Sequence, residues 1–346
     1  MKIIFMVLML ALSVTAATAS PGAQPTRYLI QGVPQFSQIT GLHCGPAALE
    51  SIFAYHGVDI DQRQIANVAR TSSMGTYVFD MVRAGHFSRT SAAQGHFYPN
   101  DVPVSGYRQR ALGYAAFGRA QNTPWLYELK TLVAQDIPVV LLMLFSPDPS
   151  SGGHYRVLVG YDDDLGEAYF IDPWGRDLGR VTNADGTVTW TYQDLLTAWN
   201  YAEYGTSQPY FGAALLPWRV ALTTQGAVAA GKQITLTANV EYPCPAPFNC
   251  SASPASGTTV ELALPPGMRL VNSSAGVVVG TLVAGGKTTA RWKVAIDYVQ
   301  PGAALEVTAA GTVSGAMPEA WWAGEQVYYP PYTYSDLIGG KARLDF

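Results

Sequence analysis

The chain has 346 residues, 21 Lys and Arg against 25 Asp and Glu, and 13% charged side chains in all. This slightly acidic balance argues against nucleic acid or an anionic membrane as partner. The length exceeds one comfortable core and calls for two domains.

Met1 and Lys2 make a short basic start, Ile3 to Leu12 an apolar core, and Ala17-Thr18-Ala19 a small-residue cleavage site. Residues 1–19 therefore read as a signal peptide, placing the mature chain outside the cell or in the periplasm or envelope. No later run approaches the about twenty apolar residues needed to cross a bilayer, so no membrane span is expected.

Residues 28–217 form the expected first domain. Its leading feature is Gly41-Leu42-His43-Cys44-Gly45-Pro46, where Cys44 opens a run with Ala48, Leu49, Ile52, Phe53 and Tyr55 at helical spacing. Pro46 suits the first turn and Gly57 the stop. A cysteine there feels the positive end of the helix dipole, which favours thiolate. Gly45 removes a side chain where a substrate backbone would approach. Taken alone, Cys44 fits a small buried apolar residue as well. His56, beside Gly57, reads as a cation at the helix C-terminus. Asp61 to Ala69 and Leu126 to Ala134 read as further helices, and Val139 to Phe145 as a buried strand. His86 and His96 read as loop or core residues. No CxxC or HExxH spacing exists, so neither metal nor cofactor is expected.

Gly152 to Tyr161 and Ala168 to Trp174 read as two strands around the turn signal Asp162 to Gly166. A hairpin turning about Asp163 sets His154 directly opposite Asp172, with Cβ atoms about 5 Å apart. A carboxylate there holds the imidazole in one tautomer and stabilises its cation. With Cys44 this makes a Cys-His-Asp arrangement. Gly153 and Trp174 flank it and are expected to touch substrate. Thr187 to Thr191 adds an edge strand and Tyr192 to Asn200 a short helix. The domain is thus expected to be α+β, with helices bearing the nucleophile and an antiparallel sheet bearing the base.

Val33-Pro34-Gln35-Phe36-Ser37-Gln38, Cys44-Gly45-Pro46, Gly153-His154 with its Val-rich strand ending in Gly160-Tyr161, and Asp172-Pro173 together resemble the C39-like papain-fold cysteine peptidases. The resemblance spans roughly residues 30 to 215. It implies a papain-like fold, peptide or protein substrates, and an oxyanion-hole role for Gln38. A side-chain amide and the Cys44 N–H aimed at a developing oxyanion typically matter by about 10²–10³ in rate. The implied reaction is hydrolysis of peptide or amide bonds through a Cys44 acyl-enzyme. Acyl transfer on the same triad and a non-catalytic envelope-binding protein on the same scaffold are the alternatives. The stretch from Thr71 to Gln135 carries no motif of the family.

Residues 218–346 change texture. Ile234 to Val240, Thr259 to Leu264, Val277 to Leu282, Thr288 to Ile296 and Leu305 to Val313 alternate as short strands of an all-β sandwich. Leu264-Pro265-Pro266-Gly267-Met268 and the Val-rich strand after it resemble immunoglobulin-like accessory modules of exported bacterial proteins. Cys244 and Cys250 bracket a turn-rich loop and are expected to form a small disulfide, leaving Cys44 free. The expected partner of this module is the cell envelope, a polysaccharide or a protein. The tail Tyr328 to Tyr334 is a candidate ligand-stacking strip or a segment docked on the sandwich.

Overall fold

The computed structural model describes residues 24–69, 71–86, 115–119, 126–175, 183–202, 209–245, 253–317, 320–322, 327–329 and 332–346. The expected signal peptide, His96 and Cys250 lie outside the described residues.

The first domain runs β1 (Arg27–Leu29), α1 (Cys44–Tyr55), α2 (Gln62–Val68), α3 (Val78–His86), β2 (Ala115–Arg119), α4 (Leu126–Val133), β3 (Val139–Leu144), β4 (Gly153–Asp162), β5 (Glu167–Ile171), β6 (Val188–Thr191), α5 (Tyr192–Trp199) and β7 (Phe211–Leu215). The seven strands form one antiparallel sheet in the order β2-β7-β3-β4-β5-β6, with β1 beside the far half of β4. Helices that precede most of the sheet pack on it, giving the α+β layout expected.

Local chemistry explains the helix limits. Pro46 lies in the first turn of α1, where its missing N–H leaves no bond unmade. Gly57, at φ +73°, ends the helix, with Gly57 N–H on Ala54 O and Val58 N–H on Phe53 O. This paired closure needs a left-handed residue, which glycine adopts without strain. The Asp61 side chain caps α2 through the Arg63 N–H at 2.7 Å. Thr191 caps α5 through the Asp194 N–H.

The β4–β5 register departs from the expected one. The turn comprises Asp163 to Gly166, centred beyond Asp163, because the Asp162 carboxylate accepts the N–H groups of both Asp164 and Leu165 and Gly166 takes φ +67°. A bulge then shifts the ladder between Leu158 and Gly160. Val157 pairs with Ile171, so the next position outward sets Arg156, not His154, beside Asp172.

The second domain comprises β8 (Arg219–Gln225), β9 (Lys232–Glu241), β10 (Ala255–Ala263), β11 (Met268–Leu270), β12 (Gly276–Leu282), β13 (Lys287–Ile296), β14 (Ala304–Met317), β15 (Ala320–Trp322), β16 (Val327–Tyr329) and β17 (Tyr332–Asp345). Two four-stranded antiparallel sheets result, β12-β10-β14-β17 and β11-β13-β9-β8, while β15 and β16 pair with each other. Alternate residues are buried: Ile234, Leu236, Ala238 and Val240 on β9, Ala290, Trp292, Val294 and Ile296 on β13, Leu305, Val307 and Ala309 on β14. The tail is thereby a long strand on β14, with Tyr332 opposite Met317 and Asp345 opposite Ala304. Its glycines admit the chain at Trp218: a Cβ at Gly340 would run into Trp218 O, and the Trp218 N–H donates to Gly339 O. The Trp218 ring lies 5.3 Å from that of Tyr242.

His56 corrects an expectation. It caps α1 at a cavity of about 460 Å³ that is also lined by Leu215, Pro217, Arg219 and Pro243. Burial pushes its pKa down to about 4, against an opposing backbone hydrogen bond to Leu215. The imidazole is therefore neutral at pH 7, and the favourable helix-end charge expected from the sequence is overridden by desolvation.

Candidate active site

Three elements carry the candidate residues. Cys44 is the first residue of α1, His154 the second of β4, and Asp172 directly follows β5. His154 Nε2 lies 2.7 Å from Asp172 Oδ1, with the two residues 3% and 1% exposed. The predicted contact thus forms, but along a diagonal of the ladder rather than straight across it. The ring nitrogen facing a carboxylate carries the proton in the neutral tautomer, which leaves Nδ1 as the basic atom.

Asp172 holds more than His154. Its Oδ2 accepts from Arg156 Nε at 2.9 Å, and its Oδ1 also accepts the Trp174 N–H at 2.9 Å. Burial alone would raise this carboxyl, but the His154 hydrogen bond and the Arg156 cation hold it well below the usual carboxylate range. Arg156 is wholly buried, and its other N–H groups donate to Leu144 O at 3.1 Å and Phe145 O at 2.8 Å. Its guanidinium sits over the Trp190 ring, 4.7 Å from the centroid. Sequence reading passed over Arg156 as part of a strand. The signal was present: an arginine two positions after His154, in a run of Val and Leu, is a buried charge that demands a partner.

Cys44 opens onto a cleft of about 200 Å³ lined by Gly41, Leu42, Tyr77, Leu142, Gly153 and Tyr201 among others. Burial pushes its thiol up, opposed by hydrogen bonding to the backbone of Tyr155, Gly45 and Cys44 itself and by the Arg156 charge. The helix-start N–H groups act in the expected direction, but desolvation outweighs them, so the isolated thiol is not a ready thiolate. Tyr155 follows His154, so its backbone contact brings Cys44 to the start of β4.

The other sequence candidates take varied places. Gly45 is buried, and a Cβ there would lie 2.8 Å from Met81 Sδ and 3.2 Å from Thr76 Cβ, so close packing of α1 already requires the glycine. Gly153 lines the cleft, and a Cβ there would lie 2.6 Å from the Tyr201 ring. Trp174 stacks edge-on with Phe145 at 5.1 Å and approaches the His154 ring at 6.4 Å, screening the imidazole. The Gln38 backbone N–H donates to Pro173 O, and Gln35 Nε2 to Asp172 O, so the loop before α1 lies along the Asp172 turn. Gly175, at φ +72°, makes that approach possible, since a Cβ there would meet Ser37 Oγ at 2.6 Å. Gln38 Nε2 donates to Thr40 O at 2.7 Å, while its Oε1 is buried without a hydrogen-bond partner. Among the described residues, no three His, Cys, Asp or Glu side chains gather to hold a metal ion. Nor is any described helix long and apolar enough to cross a membrane.

The model of the Peptidase_C39 like family matches residues 30–207. Solved structures with similarity include the peptidase domain of Streptococcus ComA, a bifunctional ABC transporter, at 13% identity and TM-score 0.34, covering 53% of this chain and 98% of that one. Xylellain, a cysteine protease from Xylella fastidiosa, is 14% identical with TM-score 0.38, over 56% of this chain and 86% of that one. A double glycine motif protease from an AMS/PCAT transporter, in complex with a leader peptide, is 17% identical with TM-score 0.32, over 55% and 96% of the two chains. No curated protein sequence matches the chain.

Proposed function

The chain belongs to the Peptidase_C39 like family, and from that premise we propose a cysteine peptidase in which Cys44 is the nucleophile, His154 the general acid and base, and Asp172 the group that orients His154. The observation that carries the reading is the buried His154–Asp172 bond at 2.7 Å, with the half-buried Cys44 thiol against the backbone of Tyr155, the residue after His154. His154 Nδ1 takes the thiol proton as sulfur attacks the scissile carbonyl. The protonated ring then delivers that proton to the leaving amine, and in deacylation it removes one from water. The Cys44 N–H and the second N–H of the Gln38 amide would hold the oxyanion.

Gly45, Gly153 and Trp174 remain the assigned substrate-side residues, Gly153 by its place in the cleft. The N-terminal segment supports export to the periplasm, envelope or medium. In that oxidising setting Cys244 and Cys250 would form a disulfide, and the immunoglobulin-like second domain would contact envelope, polysaccharide or a protein. A peptide library tests the reaction class: the purified protein, with and without an added primary amine, is followed by mass spectrometry. Free carboxyl products that persist in amine are expected. Predominant amide products would mean acyl transfer, and intact peptides would contradict both.

A further inference from the structure

We propose that Arg156 is a positioning residue that sets the pH range of the Cys44–His154 pair by sharing the Asp172 carboxylate with His154. The inference rests on the peptidase reading above. One carboxylate faces two donors: Oδ1 meets His154 Nε2 at 2.7 Å and Oδ2 meets Arg156 Nε at 2.9 Å. The guanidinium is fully buried, braced on Leu144 O and Phe145 O and stacked on Trp190, so its place is fixed. Arginine does not lose its proton in a protein, so this is a permanent cation beside the pair.

A permanent cation opposes every proton bound nearby. It disfavours the His154 imidazolium and favours the Cys44 thiolate, in keeping with its place among the influences that lower the thiol. Arg156 also takes up part of the Asp172 charge that would otherwise stabilise imidazolium alone. Both the acid limb, where His154 loses its proton, and the alkaline limb, where the pair loses its last, are thereby moved to lower pH. Among the described residues, the charged and titratable groups facing the pair are Cys44 from α1, His154, Tyr155 and Arg156 from β4, Asp172 after β5, and Tyr77 and Tyr201 across the cleft; Phe145, Trp174 and Trp190 contribute uncharged rings.

The test follows iodoacetamide alkylation of Cys44 against pH in the full chain, for wild type, Arg156→Gln and Arg156→Lys, with peptide kcat/KM alongside. Arg156→Gln is expected to raise both limbs by about one pH unit. Arg156→Lys, which keeps the charge but not the carbonyl braces, is expected to leave the limbs in place and lower Tm. If Arg156→Gln does not fold, the comparison is Asp172→Asn against Asp172→Asn with Arg156→Gln, where both buried charges go together. The limbs again rise on loss of the arginine. Unmoved limbs with only reduced amplitude or Tm would make Arg156 a brace and overturn the proposal. A wild-type profile of one ordinary thiol titration would overturn the peptidase reading and this inference with it.

Discussion

Cys44→Ala is expected to fold normally and to lose peptide hydrolysis by on the order of 10⁴-fold or more in kcat/KM. The residue is half-buried at the first position of α1, where alanine is well tolerated, so circular dichroism and Tm should barely change. His154→Ala should cost a similar factor, and the double variant little more than either alone, because the two act in one proton transfer. Hydrolysis near the wild-type rate in Cys44→Ala would place the chemistry elsewhere.

The largest loss of stability is expected from Asp172→Ala, about 3–5 kcal/mol by urea unfolding. The deletion strands a wholly buried guanidinium and removes the acceptor for His154 Nε2, Arg156 Nε and the Trp174 N–H. Activity falls with it, since the His154 tautomer is no longer fixed. A linked pH effect follows from the depressed folded-state pKa of Asp172. Its contribution is fully present above the ordinary carboxyl value of 3.8 and is lost as pH falls below that toward the folded value. Asp172→Ala should therefore show a flatter loss of stability below pH 4 than wild type. An Asp172→Ala variant within about 1 kcal/mol of wild type would mean that Arg156 finds another anion.

Much of this fold was legible because its signals are local. The α1 limits follow from Pro46 and Gly57, the buried β3 from an unbroken apolar run, and the second-domain strands from period-two alternation. What stayed hidden depends on register or on distant packing. A turn centred between Asp164 and Leu165 rather than on Asp163, together with the bulge between Leu158 and Gly160, moved the partner of Asp172 from His154 to Arg156, and the Asp162 carboxylate that fixes the turn acts through backbone N–H groups no pattern records. β8 exposes most of its residues and β17 reads as a tail until Gly339 and Gly340 are seen pressed on β14 and Trp218. That packing also requires Gly45 was not legible, because a missing side chain does not say that Met81 and Thr76 fill its place. The burial that raises the Cys44 thiol was hidden for a related reason: the helix end, whose N–H groups do lower it, is written in the sequence, whereas desolvation depends on what the cleft buries.

The most direct measurement is a short iodoacetamide pulse across pH 4 to 9 on wild type and His154→Ala, read by mass spectrometry at Cys44. Single-site labelling that is fast well below the ordinary thiol pKa of about 8.5, and slowed in His154→Ala, is what a working Cys44–His154 pair predicts. Labelling that follows a plain thiol titration in both proteins would contradict it and leave Cys44 as a buried structural residue.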